Sequence, residues 1–164
     1  MQTDDFAEFY RSTWPRLYRT AYAVAGDAAA AEDALQTAFA RAYASWRRVR
    51  AAEHPEAYVR RIVVNEVISA ARRPWRRERA SESPPDRGMP DATAAVADRD
   101  ELWRAVLALP VRQRAVVVLR YYEDLSEEQI AEVLGCSRGT VKSQASDALA
   151  ALRRHAGVTI GDLS

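Results

Sequence analysis

Apolar residues return every three or four positions from the start of the chain, where Phe6, Phe9, Leu17, Ala21 and Val24, with Thr13 among them, form one stripe. That period predicts helix between Asp4 and Ala25. Pro15 falls inside the pattern and removes a backbone donor. The expectation is therefore a short first helix and a second starting near Pro15, capped by Thr13 or Trp14. Gly26 and Asp27 read as a stop followed by a new cap. The next helix runs on to Trp46, with Ala31, Leu35, Ala38 or Phe39, Ala42 and Trp46 on its buried stripe. Pro55 opens a further helix whose apolar contacts are Tyr58, Val59, Ile62, Val63 and Val67, and Pro74 is expected to end it.

The pattern between Leu125 and Leu152 is the most specific. Ser126 can accept from the amide three residues on while the Gln129 side chain reaches back, a reciprocal cap. Gly135 tolerates the left-handed backbone that ends a helix. Ser137 can cap a second helix whose apolar face is Val141, Ala145, Ala148, Leu149 and Leu152. This is a helix-turn-helix pattern. Its outward face carries Arg138, Thr140, Lys142, Ser143, Gln144 and Asp147, a mixture of cations and short hydrogen-bonders. Such a face suits a DNA major groove, where cations meet phosphates and amides or hydroxyls read base edges. A solvated face on a small helical domain is the blander alternative.

Charge sharpens the division of the chain. The overall balance is +1, yet residues 41–79 hold eleven arginines against four glutamates. Within this segment Arg60, Arg61, Asn65, Arg72 and Arg73 lie off the apolar stripe, and Arg76, Arg77 and Arg79 follow Pro74 with Trp75 among them. Arginines interleaved with an aromatic suit a nucleic-acid strand with unpaired bases. A helix end complementing its dipole accounts only for Arg72 and Arg73. Residues 80–98 carry four acids, one arginine and three prolines without apolar periodicity, the composition of a flexible linker. Residues 99–155 are almost balanced, nine basic against eight acidic, so phosphate affinity there should be modest.

The organisation expected is all-α, with a helical module over residues 1–79, an acidic linker over 80–98, a helix-turn-helix module over 99–155 and a short tail over 156–164. One cysteine, Cys136, excludes an internal disulfide, and His54 and His155 lie too far apart in sequence to suggest a metal site. No cofactor is expected. A Gly-rich phosphate loop, metal-ligand spacing and a nucleophilic triad are all missing, so catalysis is not expected. No apolar run approaches the roughly 20 residues of a membrane span, and the N-terminus is acidic where a secretory signal is basic, so no membrane insertion and a cytoplasmic location are expected.

Three stretches together resemble the extracytoplasmic-function sigma factors of bacterial RNA polymerase, in the sigma-70 family, with a likeness to the actinobacterial SigE-like subgroup. AEDALQTAFARAY resembles the polymerase-binding helix of region two, HPEAYVRRIVVNEVISAARR the promoter-melting helix, and Glu101 to Arg153 region four. The resemblance implies core RNA polymerase, its beta and beta-prime subunits, and promoter DNA as partners, with an anti-sigma factor as a further candidate. Glu32, Asp33, Gln36 and Arg41 match positions that contact the beta-prime clamp helices. Asn65 and the loop Val49 to Pro55 match elements that capture a flipped minus-ten base, with Arg60, Arg61, Arg72, Arg73, Arg76 and Arg77 beside melted DNA. Arg138, Thr140, Lys142, Ser143, Gln144 and Asp147 match the helix that reads the minus-thirty-five element. The linker resembles the family's connection through the RNA-exit path.

Two positions depart from the family pattern, since Gln144 and Asp147 stand where many members have Arg, so the minus-thirty-five contacts are expected to be fewer or differently specific. With nine residues after His155, no extra C-terminal sensory domain is expected. The competing function is a stand-alone helix-turn-helix regulator, which has no need of the acidic and amide patch around Glu32 and Gln36.

Overall fold

The computed structural model describes residues 2–73 and 96–156. The chain divides into two compact units, Met1–Pro84 and Pro85–Ser164. Every regular element among the described residues is helical.

Four helices build the first unit: α1 (Gln2–Ala25), α2 (Ala28–Ala44), α3 (Trp46–Ala51) and α4 (Pro55–Ala71). Gly26 takes a positive φ of 70° and lets the chain reverse. Asp27 then caps α2, its Oδ2 accepting from the Ala30 amide at 2.9 Å. Small residues on the inner face of α2, Ala31, Ala34, Ala38 and Ala42, are buried and let α1 and α4 approach closely. Leu17, Leu35, Val24, Val59, Val63 and Val64 complete a core in which all three long helices touch. Val64 and Ile68 join that core, while Tyr58 and Ile62 stay half-buried.

The expected break at Pro15 does not occur. α1 is continuous through it. A proline inside a helix costs about 3 kcal/mol. Burying one Leu or Val side chain returns about 1.5–3 kcal/mol, and Leu17 and Val24 on one side of Pro15 are both buried. On the other side Phe6 and Phe9 set their rings 5.3 and 5.2 Å from that of Trp46. One continuous helix keeps both halves of the stripe on the core, and the exposed proline meets water. Packing outweighs propensity here.

A second difference concerns Trp46. α2 stops at Ala44, because Ser45 leaves the helical region with φ −115° and ψ 29°. Trp46 instead starts α3, and the bend carries its ring under α1, where it is 7% exposed. The loop expected from Val49 to Pro55 is correspondingly shorter, since α3 runs to Ala51 and only residues 52–54 are non-helical. α4 ends at Ala71 with Arg72 as its cap. Pro74 lies outside the described residues.

The second unit contains α5 (Val96–Leu107), α6 (Val111–Val117), a π-helical turn (Val118–Tyr122), α7 (Glu127–Leu134) and α8 (Arg138–Ala156). α5 begins within the stretch read as linker. α6, α7 and α5 pack on α8, burying Ala105, Val116, Leu119, Ile130, Val141, Ala148 and Leu152. The wide turn closes when the Glu123 amide donates to the Val118 carbonyl at 3.1 Å. Asp124 follows at φ 55°, a conformation Asp tolerates better than bulkier side chains. Arg114 reaches back to donate to the Leu107 carbonyl at 2.9 Å, and burial lowers its pKa. Among the described residues no helix is long and apolar enough to cross a membrane.

Candidate nucleic-acid interfaces and docking face

The helix-turn-helix forms through local hydrogen bonds. The Ser126 Oγ accepts from the Gln129 amide at 3.1 Å and the Gln129 Oε1 accepts from the Ser126 amide at 2.9 Å. Gly135 sits at φ 65°, ψ 39° with open space where a Cβ would stand, so a side chain there is opposed by backbone conformation alone. The Ser137 Oγ accepts from the Thr140 amide at 3.1 Å and starts α8. Val141, Ala145, Ala148 and Leu152 then face the core.

The opposite side of α8 is thereby turned outward. Arg138, Thr140, Lys142, Ser143 and Asp147 are exposed and Gln144 is half-buried. The Thr140 hydroxyl is already engaged, 2.9 Å from the Ser137 Oγ. Lys142 is also not independent, since its Nζ stands 3.9 Å from Glu127 Oε2. Cations and hydrogen-bonders on one solvent-facing helix can meet phosphates and base edges together.

In the first unit, Arg61, Asn65, Ser69 and Arg72 succeed one another at helical spacing along one exposed edge of α4. The Asn65 Nδ2 donates to the Arg61 carbonyl at 2.8 Å, which holds the amide against its own helix. Arg73 is exposed at the end of this edge. Arg60 lies about 100° around the helix from Arg61 and is half-buried, so it does not join the edge. Arg76 and Arg77, with Trp75 and Arg79, lie outside the described residues.

Glu32, Asp33 and Gln36 lie together on the exposed face of α2. Arg41 stands at the flank of that face, where its guanidinium pairs with Glu66 of α4 at 2.9 Å. Two further pairs tie helices together, Arg50 to Asp5 at 3.0 Å and Arg16 to Glu56 at 3.5 Å. Two arginines of the basic segment, Arg41 and Arg50, are therefore already engaged by acids. Reading the sequence also passed over Arg47 and Arg48, exposed on α3 beside the exposed ring of Tyr43, and over Glu127, which joins α7 to α8. Arg47 and Arg48 had a signal in the arginine density. Glu127 had none, because its partners are distant in sequence.

Two helical units, one with a helix-turn-helix and the other with an exposed basic edge on α4 and an exposed acidic and amide face on α2, have the surfaces of a nucleic-acid-binding protein with a candidate face for a protein partner. The family model for Sigma-70 region 2 matches residues 9–77, and that for Sigma-70, region 4 matches residues 99–152. The chain is 40% identical over 149 residues to the RNA polymerase sigma-E factor of Streptomyces coelicolor, covering 91% of this chain and 84% of that protein. It is 33% identical over 151 residues to the ECF RNA polymerase sigma factor SigL of Mycobacterium tuberculosis, covering 84% and 80%. In fold it is similar to the sigma factor RpoE of Bartonella quintana, solved with the anti-sigma factor NepR, with a TM-score of 0.74, 24% identity and coverage of 94% and 98%. The chain belongs to the extracytoplasmic-function sigma factors of the sigma-70 family.

Proposed function

We propose that this chain binds core RNA polymerase, directs it to a promoter and helps to open that promoter, with its tasks divided along the sequence. Residues 1–79 dock on the polymerase and handle the minus-ten element, residues 80–98 connect, and residues 99–155 read the minus-thirty-five element. Glu32, Asp33 and Gln36 of α2 supply the polymerase contact, with Arg41 holding α2 against α4 at its border. Charge complementarity there gives orientation and speed of encounter more than raw affinity. The edge of Arg61, Asn65, Arg72 and Arg73 receives the melted strand, where cations neutralise phosphate and unpaired bases are open to side-chain contact. Arg76 and Arg77 extend that role by sequence. α8 enters the major groove with Arg138 and Lys142 toward phosphates and Ser143 and Gln144 toward base edges, while Asp147 lies on the same outward face. The protein works where polymerase and chromosome meet, in the cytoplasm, and holds no catalytic centre of its own.

The observation that supports this reading is the exposed acidic and amide face on α2 in the same chain as the helix-turn-helix. A stand-alone regulator has no use for it. Transcription in vitro with core polymerase on a library of randomised promoters tests it. The expected result is enrichment of templates with a paired minus-ten and minus-thirty-five sequence. Transcription no greater than that of core polymerase alone would refute the reading. In the same assay Arg61→Ala with Asn65→Ala should leave duplex binding intact and reduce permanganate reactivity of promoter thymines, the signature of impaired opening.

A further inference from the structure

The Glu127 carboxylate is shared by cations from two other elements. Its Oε1 stands 3.2 Å from NH1 of Arg120, in the π-helical turn, and its Oε2 stands 3.9 Å from Nζ of Lys142, on α8. The two partners differ in freedom. Arg120 is the more enclosed, with 37% side-chain exposure, and its guanidinium also lies 5.8 Å from the centre of the Tyr121 ring. Lys142 is 64% exposed, on a long flexible stem that can swing toward solvent. Arg120 therefore fixes the carboxylate, and the fixed carboxylate holds Lys142 loosely.

We propose that Glu127 is a specificity-determining residue that competes with DNA phosphate for Lys142. This rests on the reading that the outward face of α8 meets DNA. Each phosphate contact by Lys142 must displace its contact with Glu127 and bring phosphate toward a fixed negative charge. Lys142 consequently adds less sequence-independent affinity than a free lysine. The base-facing groups Ser143 and Gln144 keep their full effect. Trimming the part of binding that ignores sequence raises the ratio of specific to non-specific affinity. The near balance of charge in this unit acts in the same direction.

The test uses full-length protein with core polymerase, a mixed-sequence duplex and the best duplex from the promoter selection, each at several salt concentrations. Glu127→Gln should tighten mixed-sequence binding about two- to fivefold and steepen the salt slope by about 0.9, the increment of one added phosphate contact. Promoter preference over mixed sequence should fall. Glu128→Gln is the control: it removes the same charge one residue along the same helical turn, where Glu128 is exposed and no ion pair among the described residues holds it, so its effect should be smaller. In a Lys142→Ala background, Glu127→Gln should gain nothing beyond that control. Equal effects of Glu127→Gln and Glu128→Gln, or a gain that survives Lys142→Ala, would overturn the proposal while leaving α8 on DNA. If Lys142→Ala alone changes neither affinity nor slope, the DNA-facing reading of α8 falls and the proposal with it. Should Glu127→Gln destabilise the fold, Glu127→Asp keeps charge beside Arg120 and shortens the reach to Lys142. It must still steepen the slope, by a smaller amount, for the proposal to stand.

Discussion

The first unit ties its helices together with side chains that meet across long sequence separations. Phe6 and Phe9 reach Trp46, Arg41 reaches Glu66, and Arg50 reaches Asp5. In the second unit the helix-turn-helix is shaped by residues three or four apart: Ser126 with Gln129, Gly135 closing on Ala131, and Ser137 with Thr140. The difference matters for function. A surface defined by local caps presents its outward residues mainly by helical period, with Lys142 drawn toward Glu127 of α7, whereas in the first unit Glu66 and Asp5 engage Arg41 and Arg50 from other helices.

The largest effect expected from this contrast is on the first unit's core. Leu35→Ala removes a fully buried side chain from α2, the helix packed on both α1 and α4, and should cost about 2–5 kcal/mol. Amide hydrogen exchange should show lost protection in α1, α2 and α4 together, because their packing is shared. Loss confined to α2 would break the comparison.

Pro15→Ala and Ser126→Ala probe the two strategies with opposite signs. Replacing Pro15 restores a backbone donor to a helix that packing already holds continuous, and should raise thermal stability by about 1–3 kcal/mol. Removing the Ser126 hydroxyl should lower stability by about 1 kcal/mol, within the range for lost caps. Calorimetry on both variants checks the signs. A destabilised Pro15→Ala protein would mean that the proline serves the first unit in some way other than tolerated strain.

Asp33→Arg with Gln36→Ala neutralises the charge of the α2 face and leaves its buried stripe untouched. Core polymerase affinity should fall about tenfold, equivalent to roughly 1.4 kcal/mol, with circular dichroism unchanged. Unaltered competition against wild-type protein for core would remove this face from the interface.

The smallest effect is expected from Asp147→Arg. Asp147 is exposed on α8, and with α8 on DNA as proposed an acid there would be repelled by phosphate. The arginine should tighten binding to all sequences and steepen salt dependence slightly. A change of preference at a single minus-thirty-five base pair would instead identify Asp147 as an acceptor for a cytosine amino group. Affinities on single-base promoter variants at two salt concentrations separate these outcomes.

The sequence by itself determined the features whose causes lie within one helical turn. The Ser126 cap, the Gly135 stop, the Ser137 cap, the Asp27 cap and the outward set on α8 follow from hydrogen-bonding and periodicity over a few residues. The exposed trio on α2 and the Asn65 edge of α4 were legible for the same reason, because helical period assigns a side to every residue. Tertiary structure alone decided the rest. It kept α1 whole through Pro15, since burial on both sides of the proline outweighs one lost hydrogen bond. It bent the chain at Ser45 to bring Trp46 under α1. It turned Arg41 toward Glu66, set Arg60 away from the Asn65 edge, and placed Glu127 between Arg120 and Lys142. Each outcome depends on which helix lies beside which, and that is set by the shared core.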